Sequence, residues 1–312
     1  MENNYINRLK INMSEQGYST SYIDRCCSYA TSLISQNLPV IFDKKHLNQI
    51  LMLDTLKFDC YHEFEIYTKG KSRMIWAPSK PLKLRQRWIL DEILNKLPTN
   101  QCCHGFVQQR SIKTNAEMHV NKTQVLCMDI HNFFPSININ QVFEVFHCVG
   151  YTSDVAQALA QLCTHNAILP QGAPTSPTLA NIIFSPIDQQ ILNAISTKEI
   201  TYTRYADDLI FSSSHELDFL IPLVSEIIST YGFEINSNKT HLMKNPYRKM
   251  ITGLIVTDTV KIPKYYKRKF NQELFYCEKY GVASHLKNCK TRSTSSFQSN
   301  TYRLSPRLFV IS

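Results

Sequence analysis

The sequence predicts an α+β fold, a small antiparallel sheet backed by helices. From residue 123 onward, strand-like and helix-like segments follow in the order strand, helices, hairpin, helix, strand. Before that point, residues 1 to about 55 show only helical spacing of apolar residues. With 312 residues, 43% of them hydrophobic, the chain is long enough for two or three subdomains that share a substantial core.

The segments ahead of residue 123 predict helices and one hairpin. Apolar residues from Tyr22 to Ile34 recur at helical spacing and include Cys26 and Cys27, which predicts buried thiols rather than metal ligands or disulfides. Residues 63–78 predict a hairpin with Gly70 at its tip and Pro78 at its end. An amphipathic helix is predicted over residues 82–97.

The segments after residue 123 supply the predicted sheet and the helices behind it. The predicted strands are 123–130, 200–205, 209–213 and 233–236, and the predicted helices are 140–150, 153–165 capped by Ser153, 176–192 and 215–232. Such a sheet can bring residues distant in sequence to one edge.

Two adjacent carboxylates, Asp207 and Asp208, stand between the paired strands of "TYTRYADDLIFSS". An exposed polar turn is the ordinary explanation. However, tight hairpins favour Asn-Gly or Asp-Gly, and like charges side by side raise each other's pKa unless a cation lies nearby. Asp129 ends a neighbouring strand, so three carboxylates without His or Cys form a site that suits Mg²⁺. Two such ions roughly 3.5 to 4 Å apart activate an attacking hydroxyl and stabilise a leaving pyrophosphate.

The net charge of +9 is concentrated near the C-terminus. The segment from His241 to Arg292 carries 12 Lys and Arg against 3 Asp and Glu, and it interleaves Tyr and Phe with the cations. This pattern fits either a solvated face or a helix that grips a phosphate backbone. Helical spacing predicts a buried stripe of Tyr266, Phe270, Leu274 and Cys277. The cations expected to contact nucleic acid are Lys264, Lys267, Arg268 and Lys269.

Several classes of protein are disfavoured. No apolar run approaches the roughly 20 residues that span a bilayer, and the first residues lack the apolar core of a signal peptide. The ten cysteines include no C-x-x-C pair, and the histidines have no finger-like spacing, which argues against structural zinc. We therefore expect a cytoplasmic protein without a membrane partner.

The motifs resemble the palm of a reverse transcriptase. "YTRYADDLIFS" combines with "CMDIHNFFPSI" and "LPQGAPTSPTLAN", and further blocks follow in family order, "SRMIWAP", "HGFVQQRSIKTNAEMH", "GFEINSNKT" and "ITGLIV". The similarity is greatest to bacterial retron enzymes, through the N-A-x-x-H element at Asn115 to His119 and Ile251-Thr252-Gly253 in place of V-T-G. The usual apolar, glycine-containing segment of the retron thumb is not evident in residues 282–312.

This resemblance implies roles for individual residues. Asp129, Asp207 and Asp208 would be catalytic and hold two Mg²⁺ ions, with Mn²⁺ able to substitute. Phe134 would exclude a ribonucleotide 2′-OH, unless it or Phe133 is core. Gln171 and Gly172 would contact the incoming nucleotide. Arg73 would contact its triphosphate, unless Arg73 is a surface hairpin residue. Lys239 would donate a proton to pyrophosphate, unless Lys239 is only a turn lysine. Asn115 and His119 would contact RNA, with a structural histidine as the alternative for His119.

The resemblance also implies an organisation and a function. The chain would fold as a right-hand polymerase, with an N-terminal helical extension (1–55), fingers (56–120), a palm with inserted finger helices near 150–175 (121–255) and a short, helical, basic thumb (256–312). The expected activity is RNA-directed DNA polymerisation from dNTPs. Part of a dedicated structured noncoding RNA would be copied into a small single-stranded DNA. A 2′-OH of the same RNA would prime this synthesis and leave a branched RNA–DNA product. The complex would serve in defence against phage, with an effector protein encoded nearby as a further partner. The alternatives are a shortened group II intron type enzyme and an RNA-binding scaffold.

Overall fold

The computed structural model describes residues 2–52, 61–68, 71–244 and 248–284. The helices are α1 (Glu2–Glu15), α2 (Thr20–Ser35), α3 (Lys44–Leu51), α4 (Lys80–Glu92), α5 (Ile112–Glu117), α6 (Ile139–Cys148), α7 (Ser153–Cys163), α8 (Ser176–Ile195), α9 (Leu220–Ser229) and α10 (Lys264–Tyr280). The strands are β1 (Tyr61–Thr68), β2 (Lys71–Pro78), β3 (Gln124–Asp129), β4 (Thr201–Tyr205), β5 (Asp208–Ser213), β6 (His241–Met243), β7 (Lys249–Ile251), β8 (Leu254–Val256) and β9 (Val260–Lys261).

The chain divides into two compact units. The first comprises Met1–Phe64, Ile75–Thr99 and Asn132–Ser185, and the second comprises Glu65–Met74, Asn100–His131 and Pro186–Ser312. Helix α8 and the β1–β2 hairpin each contribute to both units. Each unit has its own apolar core.

The first unit is mainly helical. Helices α6 and α7 pack against each other, with Val142 and Phe146 of the former and Val155 and Leu159 of the latter fully buried. These residues recur at the three- and four-residue spacing of one helix face, so burying that face stabilises both helices.

A loop before α8 lies against β2 in this unit. The Trp76 amide donates to the Gln171 carbonyl at 2.9 Å. A Cβ on Gly172 would lie 2.7 Å from the Trp76 carbonyl oxygen, and Gly172 has a φ of +130°. Only glycine fits this close approach without a backbone shift.

The second unit contains two antiparallel sheets with α5 packed against both. The larger sheet has the order β4-β5-β3-β6, and the smaller has the order β7-β8-β9. Ile112 and Ala116 of α5 join Val125, Ile210 and Leu254 in one apolar cluster. The predicted α+β class is confirmed, and the sheet places the end of β3 beside the β4–β5 hairpin.

Some predicted elements are wrong in detail. Residues 233–236 are not a strand of the sheet, because β6 occupies the position next to β3 and Ile235 makes only an isolated bridge to Ile130. Thr152, not Ser153, occupies the N-cap position of α7, and its side chain makes no cap hydrogen bond. The helix predicted from residue 215 begins at Leu220, and the predicted hairpin tip at Gly70 lies outside the described residues.

Candidate active site

The β4–β5 hairpin and the end of β3 bring the three aspartates together. Tyr205 pairs with Asp208, so Ala206 and Asp207 form a two-residue turn. Asp129 is the cross-strand partner of Asp208, and the Ile130 amide donates to the Asp207 carbonyl at 3.0 Å. The juxtaposition predicted from the sequence is therefore present in the backbone register.

The turn uses Ala206 where glycine would be easier. Ala206 has a φ of +59°, a region that L-residues other than Gly adopt at a cost of roughly 1–3 kcal/mol. The segment around Gly105 restricts this turn further, because a Cβ on Gly105 would lie 2.5 Å from the Ala206 nitrogen. The aspartates thus lie on a strained turn that its surroundings hold in place.

Lys239 neutralises Asp129. Its Nζ donates to both carboxylate oxygens, at 2.6 and 2.7 Å, from a 3₁₀ turn over Ser237–Lys239. The Asn236 amide donates to the Asp129 carbonyl at 2.8 Å and fixes this turn beside the strand end. Lys239 therefore lies in a turn and also at the site, with its side chain 40% exposed, and its role as proton donor stays a prediction.

The surroundings of Asp207 raise the pKa of its carboxyl. Burial raises the pKa of its carboxyl, and the charge of Asp129 raises it further, while Lys239 and Arg73 act in the opposite direction. A carboxylate held ionised against burial and a like charge is stabilised by a cation. Arg73, predicted at the triphosphate, is thus within electrostatic reach of Asp207.

A cavity of about 560 Å³ opens on the aspartates. One wall is polar and contains Asp129, Asp207, Asp208 and Lys239. Further lining residues, largely apolar, come from the smaller sheet, the segment that follows it and the first turn of α10: Met250, Thr252, Gly253, Leu254, Ile262 and Tyr266. A cavity of this size holds a group as large as a nucleotide.

The donor set fits a hard divalent cation. Across the described residues, no group of three or more His, Cys, Asp or Glu side chains, the three aspartates included, is placed to hold a metal ion as a cage. Magnesium is usually held by one or two carboxylates together with water and substrate phosphates, so a cage is not required. Asp129 and Asp207, coupled by their charges on one cavity wall, supply that pair.

Phe134 and its neighbour differ in burial. Phe133 is 4% exposed and packs edge-on against Phe184 at 5.6 Å, so Phe133 is core. Phe134 is only half-buried. Both belong to the first unit, as do Gln171 and Gly172, and their contact with a nucleotide stays a prediction.

Two residues predicted to bind RNA are buried. His119 is fully buried, and its ring nitrogens lie 2.6 Å from the Ser212 hydroxyl and 2.7 Å from the Thr203 hydroxyl. Burial lowers the pKa of His119 to about 3, so it is neutral at physiological pH. Asn115 is also fully buried. This arrangement favours the alternative of a structural histidine over direct RNA contact, because neither side chain reaches the surface.

Helix α10 confirms the predicted helix, but the predicted buried stripe is wrong. No residue of α10 is buried, and Tyr266, Phe270 and Leu274 are 37%, 50% and 47% exposed. The spacing was helical, but no described element packs over that face closely enough to bury it. Lys264, Lys267 and Arg268 are exposed, and Lys269 is partly exposed.

The sequence reasoning missed three residues that support the hairpin. Arg204 of β4 forms a fully buried ion pair with Asp188 of α8, and Gly105 lies against the hairpin turn. A charged residue between the apolar positions of a predicted strand, and an Asp on the apolar stripe of a helix, were the signals available.

The comparisons with known proteins agree with this site. The family model for reverse transcriptase (RNA-dependent DNA polymerase) matches residues 57–269. Retron Ec86 reverse transcriptase of Escherichia coli is 34% identical over 255 residues, which cover 76% of this chain and 78% of that protein. Retron Se72 reverse transcriptase of Salmonella heidelberg is 30% identical over 263 residues, covering 80% and 69%. Retron Mx65 reverse transcriptase of Myxococcus xanthus is 34% identical over 215 residues, covering 62% and 50%.

The match to the family model extends over the aspartates, the cavity and the start of α10. No helix among the described residues is long and apolar enough to cross a membrane. Because both the family model and relatives of 34% identity span most of the chain, it belongs to the reverse transcriptases, is of the bacterial retron type and is an RNA-directed DNA polymerase.

Proposed function

We propose that this polymerase copies part of a dedicated structured noncoding RNA into a small single-stranded DNA, starting from a 2′-OH of that RNA. The names of its relatives identify them as retron reverse transcriptases, which supports this substrate. The branched RNA–DNA product would serve defence against phage, together with an effector protein.

One observation carries the catalytic part of the proposal. Asp129 and the Asp207–Asp208 pair lie on one wall of a cavity of nucleotide size, and Lys239 bonds to Asp129 within the same wall. Reverse transcriptases use divalent metal ions, and Mg²⁺ fits the oxygen donors present. Bound there, the cations would supply Lewis acidity for attack on the α-phosphate of a dNTP.

The protein's own residues would orient and neutralise the reactants. Asp129 and Asp207 present carboxylates from a strand end and a strained turn, both fixed by backbone hydrogen bonds. Lys239 would offset negative charge on the leaving pyrophosphate and donate its proton. Arg73 would face the triphosphate, while Phe134, Gln171 and Gly172 would meet the sugar and base.

The domain assignment is part of the proposal. Residues 56–120 would form the fingers, 121–255 the palm with inserted finger helices near 150–175, and 256–312 the thumb, after an N-terminal extension of residues 1–55. The exposed cations of α10 support a role for the last segment in holding the nucleic-acid backbone.

Sequencing the nucleic acid that copurifies with the protein tests the proposal. We expect one RNA species joined to DNA that is complementary to part of it, and a 2′–5′ junction that resists RNase but yields to a debranching enzyme. Recovery of intron RNA, or of RNA without attached DNA, would contradict the proposed template and product while leaving the polymerase assignment standing.

A further inference from the structure

A buried ion pair joins the catalytic hairpin to helix α8. Arg204 on β4 and Asp188 on α8 are both 0% exposed. The Arg204 Nε donates to the Asp188 carboxylate at 2.9 Å, and its Nη2 donates at 2.8 Å. The Tyr202 hydroxyl donates to the same carboxylate at 2.8 Å. This two-point pairing of guanidinium and carboxylate fixes the plane and direction of the Arg204 side chain.

The guanidinium also reaches the turn that carries Asp207. The Arg204 Nη1 lies 3.2 Å from the carbonyl oxygen of Ala206 and donates to it. Ala206 is the residue with a φ of +59°, and Asp207 follows it directly. One side chain thus links helix α8 to the strained residue beside a catalytic carboxylate.

The backbone of Arg204 is held as firmly as its side chain. Its amide donates to the Cys102 carbonyl at 2.8 Å, and its carbonyl accepts from the His104 amide at 2.7 Å. The strand on which the guanidinium stands therefore cannot shift without breaking two further hydrogen bonds. Because Arg204 is fixed in this way, its hydrogen bond to the Ala206 carbonyl restricts movement of that carbonyl.

Stability alone gives a weak reason for this pair. Two buried charges lose their hydration, and apolar residues of similar volume often give equal or greater stability in their place. A strained turn, in contrast, persists only where its surroundings determine it. The pair is therefore better explained by what it positions.

We propose that Asp188 and Arg204 are positioning residues for catalysis, which set the Ala206 carbonyl and through it the orientation of the Asp207 carboxylate. Neither side chain touches substrate in this role. The proposal depends on the polymerase activity and not on the identity of the RNA.

The test replaces the pair by apolar residues, Asp188→Leu with Arg204→Met, because this double variant avoids an unpaired buried charge. Circular dichroism and RNA binding report the fold, and primer extension reports kcat, the KM for dNTP and the Mg²⁺ concentration at half-maximal rate. We expect a folded protein that binds RNA normally. Its kcat should fall about 10- to 100-fold with little change in KM, because misplacement by about 1 Å costs up to 100-fold. More Mg²⁺ should be needed.

The matched control is Tyr202→Phe, which removes one hydrogen bond to the same carboxylate but leaves the link from Arg204 to Ala206. Its kcat and Mg²⁺ dependence should stay within about 3-fold of the wild-type values. A folded double variant with wild-type kcat and Mg²⁺ dependence would overturn the proposal. An equal defect in Tyr202→Phe would overturn it as well, because the defect would then follow the loss of any hydrogen bond to Asp188 and not the link from Arg204 to Ala206.

If the double variant does not fold, Arg204→Lys decides the matter. Lysine keeps the charge beside Asp188, but its single ammonium cannot hold the carboxylate at two points and also bond to Ala206. The same fall in kcat and rise in Mg²⁺ requirement are expected. Wild-type values in folded Arg204→Lys would refute positioning by Arg204.

Discussion

Replacing Gly105 by alanine should displace the catalytic turn. The added Cβ would lie 2.5 Å from the Ala206 nitrogen and 3.1 Å from the Tyr205 carbonyl carbon. Ordinary contact begins near 3.4 Å, so the two backbones must separate by about 0.9 Å. Overpacking of this kind costs about 1–3 kcal/mol of folding free energy. A catalytic group misplaced by about 1 Å costs up to 100-fold in rate, so kcat should fall roughly 10- to 100-fold.

The assay is primer extension under saturating dNTP and Mg²⁺, at a temperature where circular dichroism shows the variant folded. Gly17→Ala is the control, because Gly17 has a φ of +79° and no neighbouring atom within 4 Å of the added Cβ. Alanine there costs about 1–2 kcal/mol of backbone strain without touching the hairpin. Both variants should lose stability, and only Gly105→Ala should lose rate. Wild-type kcat in folded Gly105→Ala would refute the reasoning.

Three further outcomes are expected. Phe134→Ala should admit ribonucleotides, measured as incorporation of ribo- against deoxynucleotides, whereas Phe133→Leu should mainly lower stability because Phe133 is core; unchanged discrimination in folded Phe134→Ala would remove the steric gate. Because the folded pKa of His119 is about 3 against an unfolded value near 6.5, only the unfolded state binds that proton between these values, and stability should fall with decreasing pH below about 6.5. The loss at pH 5 should be roughly 2 kcal/mol in chemical denaturation, and His119→Gln should reduce the slope; an equally steep slope in the variant would contradict the assignment. The third change replaces four exposed or partly exposed cations of α10 by Gln: Lys264, Lys267, Arg268 and Lys269. RNA binding should weaken, and its logarithmic salt dependence should flatten by roughly one unit per lost phosphate contact. A wild-type salt slope would mean that these cations are ordinary solvated surface.

The parts of the site that the sequence predicted are those with local signals. Alternation over residues 200–213 predicted the β4–β5 hairpin, and the strand ending at Asp129 was equally regular. The missing glycine at the hairpin tip indicated that the two aspartates have a function. Their pairing followed because antiparallel neighbours bring a strand end beside a turn. The register of Asp129 with Asp208 confirms that inference.

The parts that could not be predicted depend on contacts between segments far apart in the chain. Helix α5 has six residues and β7, β8 and β9 have two or three each, too few for a periodic pattern, and they are stabilised by packing in one shared cluster. Residues 233–236 have strand propensity, but β6 forms the ladder with β3 instead.

The ion pair between Asp188 and Arg204 shows the same limit most sharply. Each residue alone looks like a charge misplaced on an apolar face, and only the fold shows that the two charges neutralise each other. The helical spacing of α10 was likewise sound, but spacing predicts a face and does not supply the surface that covers it.

The central claim is that the carboxylates at the end of β3 and on the β4–β5 hairpin carry out DNA synthesis. Primer extension with Mg²⁺ by the double variant Asp207→Asn, Asp208→Asn tests it most directly, with Asp24→Asn, Asp154→Asn as a control that removes two exposed charges elsewhere. We expect no detectable synthesis by the first variant, RNA binding within a few-fold of wild type, and normal synthesis by the control. Substantial synthesis by the folded Asp207→Asn, Asp208→Asn protein would contradict the claim.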